Sequence, residues 1–540
     1  MPIIANLRTI LIALLSVCSA LLSMQAQAQT KMPIGINTNE VTHQDASAPF
    51  VDLFKMSLPF VESNRLTKGY VEYDENGWPS DLKGGVGGSN VVHWVPAGTL
   101  PDGNYTVLYD GEGQLTYGAD AKAVRSAPGK DIVQVRAGAD QWLKITLEIK
   151  RSNPQNYVRN IRFLLPGGIC ANNPFKRVNS AKQCPANNYQ SFEKYHKHLI
   201  FNPDYLNFMR RFKVIRMMNI SGITRNKLTS WNQMPSINDA TWAGSEWNGI
   251  RSRGAPLEVM VKLANRLNAA PWFNIPQEAD NDLIRQYAAY VKKHLRPNLK
   301  PYVEYTNEAW NSAFSSAAYT KTMGLKQGLD RDRAQAGHKF YVKRSLEIFN
   351  IWKQVYGTHQ RFTRVIGGWS ANPRLTPILL NYMGAHKHVD AFAIAPYFFI
   401  HQRNLHEVKS VPDVFRLLKD NKNPYSLDNV YNMLKRQKIE ADKFGVKLIA
   451  YEGGQHLVAK GTRSTKDHPN PLLIGANRAN PMENIYVEFL NNWKQITGSQ
   501  LFVAFSAPRP PQFFGSWGIK EYLNQPAAKA PKYRGIARFF

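Results

Sequence analysis

The chain has 540 residues, with 68 lysines and arginines against 40 aspartates and glutamates, and a formal net charge of +28. Its hydrophobic content of 43% is typical of a well-cored globular protein and excludes long disordered tracts. The positive charge favours anionic surroundings, such as an acidic polysaccharide or a cell envelope, although colloidal solubility alone explains it as well. Because the basic residues are scattered and no nucleic-acid-binding motif occurs, nucleic acid is not expected as a partner.

The N-terminal segment, residues 1–28, is predicted to be a secretory signal peptide. Arg8 is followed by the apolar run 10–22 and then by small residues ending at Ala28, where cleavage is expected. No other stretch has the roughly 20 apolar residues needed to span a bilayer, so no integral membrane segment should remain after cleavage. The sequence therefore predicts a soluble secreted or periplasmic protein.

Residues 29–65 are predicted to hold one strand and one helix. The run 32–39, MPIGINTN, has the pattern of a short strand that ends in polar residues. Phe50, Leu53 and Phe54 follow at helix-compatible spacing, and Pro59 ends that segment.

Residues 66–165 have a different sequence pattern, which predicts a compact antiparallel β-sandwich domain. Short β-type runs alternate here with turns rich in Gly, Asp, Asn and Pro, and they lie at 91–95, 105–109, 132–135, 142–149 and 161–165. Trp78, Trp94 and Trp142 are candidates for stacking on sugars, but tryptophans in a small sandwich more often belong to its core.

The connector at 166–202 carries Cys170 and Cys184, the two cysteines that remain after signal cleavage. In an oxidising compartment such a pair predicts a disulfide, and the alternative is two free buried thiols.

From residue 203 to the end, helices and strands alternate, which predicts a parallel sheet with covering helices. The predicted helices are 203–212, 257–267, 280–294, 375–388 and 482–496, with a long helical region at about 316–355 and more than one helix within 411–443. The predicted strands are 214–219, 270–275, 301–306, 364–369, 391–397, 447–451 and 501–505.

A closed (β/α)8 barrel needs one strand more than this segment supplies, and the run 32–39 is the best candidate for it. The predicted fold class is therefore α/β, a TIM barrel with the β-sandwich inserted between its first and second strands. The alternative is a sandwich that lies N-terminal to the barrel and supplies its own strand.

Two strands of this barrel end in a carboxylate. The fourth runs into Asn307-Glu308 within PYVEYTNEAWN, and the seventh runs into Glu452 within KLIAYEGG. The carboxyl ends of barrel strands hold the chemistry of this fold, and a pair of carboxylates is what glycoside hydrolysis requires. Taken alone, Glu308 could simply cap the next helix.

On these residues the chain resembles the clan A glycoside hydrolases, a group of retaining (β/α)8 enzymes, over about residues 203–520. The resemblance implies that Glu308 is the acid/base and Glu452 the nucleophile. It also implies that Arg216 on the second strand keeps Glu452 ionised and that Tyr397 hydrogen-bonds to it. Many members have a histidine two residues before this tyrosine, where this chain has Ala395.

Further residues are predicted to contact substrate. The resemblance makes Trp517 the aromatic floor under the reacting sugar, and Asn307 should donate to the sugar 2-hydroxyl. Asn274 lies at the end of the third strand and Glu278 follows it, although Glu278 is also an ordinary helix N-terminal acid. The tryptophans in or near strand-end loops suggest subsites for a polymer, and they are Trp231, Trp242, Trp247, Trp310 and Trp369.

The sequence thus predicts an exported, monomeric, retaining glycosidase that acts on a β-linked polysaccharide without cofactor or metal. Retention requires the two carboxyl groups to lie about 5 to 5.5 Å apart, whereas inversion requires roughly 6.5 to 9.5 Å. The alternatives are a polysaccharide- or envelope-binding protein on the same scaffold, without turnover, and a transglycosylase.

Overall fold

The structure is a computed structural model that describes residues 32–62, 65–244 and 253–540. The predicted signal peptide and Trp247 lie outside the described residues. Within these ranges, no helix combines the length and apolar character needed to cross a membrane.

Eight parallel strands close into a barrel, which confirms the predicted barrel and is consistent with a TIM barrel. The first strand closes it, because Gly35 lies opposite Val214 on one side and opposite Val503 on the other. The run upstream of the antiparallel segment is therefore a barrel strand, as the strand count predicted. In chain order the barrel strands are Ile34–Asn37, Val214–Arg216, Ala270–Ile275, Tyr302–Tyr305, Thr363–Gly367, Ala391–Ile394, Lys447–Ala450 and Phe502–Ala504.

The barrel interior is packed mainly with small and branched side chains, among them Val214, Val365, Ala393 and Val503. Gly35 belongs to this packing, because an added Cβ would lie 2.9 Å from both the Val214 carbonyl oxygen and a Val503 methyl group. The close approach leaves no room for a side chain at that position, so the barrel core is dense rather than a pore.

The α-helices between and after the barrel strands cover the outside of the sheet. The α-helices among the described residues are Phe192–Tyr195, Pro203–Met209, Leu257–Leu267, Asn281–His294, Ser315–Lys326, Arg333–Tyr356, Leu375–Asn381, Val411–Lys419, Leu427–Lys443, Asn470–Arg478, Pro481–Thr497 and Pro531–Ala537. The long helical region predicted at about 316–355 consists of two helices, Ser315–Lys326 and Arg333–Tyr356. Gly328, with φ +65°, lies in the break, and the Asp332 side chain caps the second helix by accepting from the Gln335 N–H.

The helix predicted from Phe50 to Pro59 is only a 3₁₀ turn, Leu53–Met56. The residues before it pair with other segments, Phe50 with Phe201 and Asp52 with Leu164. Because these bridges hold the backbone extended up to Asp52, the turn can begin only there.

Antiparallel sheets lie in the chain between the first and second barrel strands, and the two largest belong to the region 66–165, where Glu72–Tyr73 and Pro79–Asp81 also pair. One has the strand order Arg159–Leu164, Gly103–Asp110, Lys130–Val135, Ala121–Ala127, and the other has the order Gly87–Pro96, Trp142–Ser152, Gly113–Ala119. They meet at Tyr117, whose ring centroid lies 6.3 Å from that of Phe163 and whose hydroxyl donates to Asp131 at 2.7 Å. They occupy the region predicted as a β-sandwich, while the boundaries of that domain stay a prediction.

The connector is more structured than predicted. It holds a three-stranded antiparallel sheet of Asn173–Val178, Gly168–Cys170 and Tyr189–Ser191. Cys170 and Cys184 form the predicted disulfide, with their Cα atoms 5.4 Å apart.

Candidate active site

The fourth barrel strand ends in two residues with unusual backbone angles. Thr306 has φ +55° and Glu308 has φ +42°, in the left-handed region that non-glycine residues rarely adopt. Asn307 between them is held by Ser316, whose hydroxyl donates to the Asn307 carbonyl oxygen at 2.7 Å. Such strain is concentrated at functional sites, and here it turns the chain so that Asn307 and Glu308 both line one cleft.

The seventh strand delivers Glu452 to the same cleft. Beyond the barrel its chain continues to pair with that of the sixth strand, with Tyr397 opposite Gly454. This pairing places the Tyr397 hydroxyl 3.0 Å from Glu452 Oε1, to which it donates. Gly454 has φ +130°, and a Cβ there would lie 2.7 Å from the Tyr486 hydroxyl, so the turn after Glu452 requires glycine.

Arg216 is fully buried beneath the cleft and joins several strand ends. Its Nη1 donates to Glu452 Oε2 at 3.1 Å and to Asn37 Oδ1 at 3.2 Å. Its Nη2 donates to Asn307 Oδ1 at 3.1 Å and to Glu304 Oε2 at 2.9 Å. One guanidinium thus fixes side chains from the first, fourth and seventh strands, which a lysine with a single nitrogen could not do.

Glu304 is a buried carboxylate that the sequence analysis missed. Besides Arg216, its Oε2 accepts from Trp272 Nε1 at 2.9 Å and from Asn274 Nδ2 at 2.7 Å. Its signal was available, because a glutamate within the run YVEY of a parallel strand covered on both faces must find buried partners. Glu304 therefore shares the charge of Arg216 with Glu452.

Tyr451 is a second residue that the sequence analysis missed. Its hydroxyl donates to Glu308 Oε1 at 2.6 Å, and Asn311 Nδ2 donates to the other oxygen of Glu308 at 2.7 Å. Its ring also lies against the Arg216 guanidinium, at 4.8 Å. Tyr451 thus links the two candidate carboxylates, since it precedes Glu452 and contacts Glu308.

Burial raises the pKa of both candidate carboxyl groups. The pKa of Glu308 is raised chiefly by burial, while the hydrogen bonds from Tyr451 and Asn311 oppose the change. The pKa of Glu452 is raised to about 8, first by burial and second by the charge of Glu308, while Arg216 and Tyr397 oppose the change. Because each charge raises the pKa of the other group, the pair titrates as a unit.

The cleft at the carboxyl end of the barrel has a volume of about 810 Å³. Its lining includes seven of the predicted site residues, namely Asn307, Glu308, Trp310, Trp369, Tyr397, Glu452 and Trp517. Arg216 lies directly below and contacts this set through Glu452 and Asn307. The structure therefore brings residues from widely separated parts of the sequence to one place.

Two tryptophans form one wall of the cleft. The rings of Trp310 and Trp369 are stacked, with centroids 5.5 Å apart and planes 6° from parallel. Trp369 remains 43% exposed, which leaves a flat apolar surface open to a ligand.

Trp517 lies on the opposite side, after the eighth strand, and its Nε1 donates to His456 Nδ1 at 3.1 Å. Burial lowers the pKa of His456 to about 4, so this histidine is neutral and acts as the acceptor that orients the indole.

Asn274 and Glu278 have other surroundings. Asn274 donates to Glu304 and to the Thr306 carbonyl oxygen at 2.9 Å, so its contacts lie within the barrel. Glu278 accepts from Gln277 at 3.2 Å and is not among the described residues that line the cleft. Substrate contact by Asn274 or Glu278 therefore stays a prediction, and the contacts of these two residues do not add support for it.

The other tryptophans named as candidates differ in burial among the described residues. Trp242 and Trp78 are buried in packing contacts, with Phe50 at 5.0 Å and Phe54 at 5.5 Å respectively. Trp231 is half-buried against the core. Trp94 is 46% exposed on the antiparallel sheets, with its ring 5.9 Å from that of Trp142.

Within the described ranges, no group of three or more His, Cys, Asp or Glu side chains is arranged to hold a metal ion. The groups in direct contact with the two glutamates are the Arg216 guanidinium, which donates to Glu452, and the hydroxyls of Tyr397 and Tyr451, which donate to Glu452 and Glu308 respectively.

No protein-family model matches the chain, and no curated protein matches it. Solved structures similar to it include the GH51 arabinofuranosidase from Xanthomonas axonopodis pv. citri, at 12% identity and TM-score 0.35, over 57% of this chain and 60% of that one. A family 51 α-L-arabinofuranosidase from Bifidobacterium longum is similar at 10% identity and TM-score 0.39, over 57% of this chain and 61% of that one.

An endo-1,4-beta-xylanase from Caldicellulosiruptor owensensis is similar at 12% identity and TM-score 0.33, over 56% of this chain and 80% of that one. All three are glycosidases by name. At such low identities and TM-scores these likenesses do not assign an activity, so the fold assignment rests on the strand pairing of the barrel itself.

Proposed function

We propose that the chain is a glycoside hydrolase that cleaves a β-linked polysaccharide with retention, using Glu308 as acid/base and Glu452 as nucleophile. The observation that carries the proposal is that both glutamates open onto one cleft while, of these two, Glu452 is the one to which Arg216 donates a hydrogen bond. Cleavage of an acetal at neutral pH needs one protonated and one ionised carboxyl group, and this asymmetry supplies the difference.

The distribution of the proton follows from the contacts. With Glu308 charged, the pKa of Glu452 is raised to about 8, which would leave Glu452 protonated at neutral pH. When Glu308 holds the proton, its charge no longer acts on Glu452, and Arg216 and Tyr397 then both favour the ionised nucleophile. We therefore place the single shared proton on Glu308 in the working state.

The reaction then runs in two displacements. The carboxylate of Glu452 attacks the anomeric carbon while Glu308 gives its proton to the departing glycosidic oxygen. Glu308, now ionised, takes a proton from water, which attacks the glycosyl ester and releases Glu452. Since Asn307 Oδ1 is engaged by Arg216, its amide nitrogen is the group left to donate to the sugar 2-hydroxyl.

The size and walls of the cleft support a polymeric substrate. Its volume of about 810 Å³ exceeds what one sugar ring fills, and flat aromatic surfaces flank it on both sides. Stacked Trp310 and Trp369 offer a subsite at some distance along the cleft from Trp517, the proposed floor under the reacting sugar.

The test is reducing-end release from a panel of neutral and acidic β-glycans. Native protein should cleave at least one of them, and Glu308→Gln and Glu452→Gln should each lower kcat by roughly 10⁴-fold, the order seen when a nucleophile or its base is lost. Glu75→Gln, which changes an exposed glutamate on the antiparallel segment, should match native protein. NMR of the first-formed product should show the β-anomer.

Two results would contradict the proposal. An α-anomer as the first product would exclude retention. A native protein that binds a β-glycan but cleaves none, with both Gln variants binding equally, would make the barrel a binding scaffold without turnover.

Export belongs to the same proposal. The disulfide of Cys170 and Cys184 fits an oxidising compartment, as expected for a secreted or periplasmic protein. Mass spectrometry of protein recovered from the medium or periplasm of an exporting host should find Gln29 at the N-terminus, and an uncleaved chain would contradict the predicted signal peptide.

A further inference from the structure

One of the two arginines that line the cleft is not engaged by a carboxylate of the lining. Among the described residues, the charged side chains of the lining are Glu40, Arg225, Glu308, Glu452 and Arg509. Arg225 Nε lies 3.1 Å from Glu40 Oε1, and Glu452 is paired from below with Arg216. Arg509 is the cation that remains.

The Arg509 guanidinium has no hydrogen-bond or ion-pair partner among the described residues. The carboxylate on which its charge acts is Asp45, which is buried and already engaged. Asp45 Oδ1 accepts from Asn39 Nδ2 and from the Ser47 N–H, both at 2.8 Å, and its Oδ2 accepts from the Ser47 hydroxyl at 2.8 Å. Arg509 is thus left with its donors unused at the edge of the cleft.

The backbone that carries Arg509 is fixed in advance. Prolines precede and follow it in the sequence Ala-Pro-Arg-Pro-Pro, which restricts the backbone angles on both sides. Asn39 Nδ2 also donates to the Pro508 carbonyl oxygen at 2.7 Å, and the Arg509 N–H donates to the Lys520 carbonyl oxygen at 3.0 Å. A ligand therefore needs to order only the side chain, which keeps the entropy cost of binding low.

The same loop presents aromatic surface beside this cation. Phe514 and Trp517 both line the cleft, with ring centroids 6.1 Å apart, and Phe514 is 46% exposed. A sugar ring has an apolar face that stacks on such rings, while an acidic substituent at its edge needs a cation. Both surfaces come from residues 509–517.

We infer that Arg509 forms an anion-binding subsite, and that the polymer held in the cleft is an acidic glycan whose sugars carry a carboxylate or a sulfate. The inference deepens the proposed glycosidase function and rests on it. The planar guanidinium binds such oxyanions through two parallel hydrogen bonds, which a neutral hexose cannot offer. The net charge of +28 attracts the same class of polymer from a distance.

The test uses β-linked uronate polymers, each paired with the neutral polymer obtained by reducing its carboxyl groups, and a sulfated form of each neutral polymer. The proteins are native enzyme, Arg509→Gln, Arg509→Lys and the control Arg211→Gln. Arg211 is exposed and lies just before the second barrel strand, so the control removes one charge at the opposite end of the barrel. Thermal unfolding midpoints show that each variant is folded.

For native enzyme we expect kcat/KM to be at least tenfold higher on the acidic member of a pair. Arg509→Gln should abolish that preference by raising KM about ten- to hundredfold, as expected for loss of a hydrogen bond to a charged group, with kcat little changed. Arg211→Gln should keep the preference. A higher rate on the uronate polymer identifies a carboxylate, and a higher rate on the sulfated polymer identifies a sulfate.

The inference is overturned if native enzyme cleaves the neutral polymers as well as the acidic ones, or if Arg509→Gln keeps the preference. Should Arg509→Gln fail to fold, Arg509→Lys decides, because it keeps the charge but loses the paired hydrogen bonds and should still raise KM several-fold on the acidic polymer.

Failure of the proposed hydrolysis is recognised separately. If native enzyme cleaves nothing, retardation in gels that contain each polymer takes the place of kinetics. If an acidic polymer retards native protein at least tenfold more strongly than Arg509→Gln, the anion-binding subsite is supported although the hydrolase function is not. If the two proteins are retarded equally, or if neither is retarded, the inferred subsite is contradicted.

Discussion

The centre of the barrel and the antiparallel sheets bury different kinds of side chain. At the carboxyl end of the barrel, Arg216, Glu304 and Glu452 are all buried and depend on one another for compensation of charge. The antiparallel sheets bury mainly apolar and aromatic side chains, such as Tyr105 and Phe163, with centroids 5.7 Å apart.

This difference separates two kinds of sensitivity. Buried charges cost free energy unless each one is paired, so the barrel centre tolerates the loss of none of its charged partners. Apolar packing is stabilising without further conditions. Changes at the barrel centre should therefore act on activity and its pH dependence, whereas changes in the sheets should act on stability alone.

The largest expected effect is that of Arg216→Met. It leaves two buried carboxylates without their cation, which should cost about 3–5 kcal/mol of stability and nearly all activity. The destabilisation should be greater at pH 8 than at pH 5, because Arg216 lowers the pKa of Glu308 and Glu452, so that its loss costs most where these groups are ionised and least where they are protonated. Chemical denaturation at both pH values measures this.

The matched control is Arg364→Met, which breaks a half-buried ion pair outside the cleft. In this pair Arg364 Nη2 lies 3.0 Å from Asp390 Oδ1. It should cost about 1 kcal/mol or less and leave kcat unchanged. If Arg364→Met and Arg216→Met lose the same free energy of unfolding, the charges at the barrel centre depend on pairing no more than a half-buried ion pair does.

Phe163→Ala tests the other side of the comparison. Removing this fully buried ring from between Tyr105 and Tyr117 should cost about 3–5 kcal/mol, mostly as cavity. The activity of the remaining folded enzyme should be native. Val124→Ala, at an exposed position of the same sheets, should change neither quantity. A fall in kcat per folded molecule would show that the sheets contribute to the site.

Glu304→Gln should shift the pH–rate profile rather than abolish activity. The charge of Glu304 raises the pKa of both Glu308 and Glu452, so its removal should lower both values. The acid and basic limbs of kcat/KM should therefore both move to lower pH, by about one unit. If both limbs of the profile stay at their native pH values, the charge of Glu304 does not affect the pKa of Glu308 or Glu452.

Trp369→Ala should have the smallest effect. Loss of the exposed stacking surface should raise KM by about three- to tenfold, with native stability. Trp94→Ala removes a tryptophan of similar exposure from the antiparallel sheets and should leave KM unchanged. Equal effects of the two changes would place a polymer-binding surface on the sheets as well.

Much of the fold was predictable because it depends on local pattern. The alternation of helices and strands gave seven barrel strands, and the closure requirement pointed to 32–39 as the eighth. The helix expected before Pro59 failed because the bridges of Phe50 and Asp52 to distant segments override local spacing. The disulfide was predictable because few cysteines leave few choices.

By itself, the sequence determined which residues stand at the ends of barrel strands, since the order of residues along each strand fixes them. Only the tertiary structure decided which of these end residues meet, that Glu304 and Tyr451 join them, and that the Arg509 guanidinium has no partner among the residues the structure describes. The physical reason is that burial, shared hydrogen bonds and charge balance depend on separations through space, which spacing along the chain does not encode.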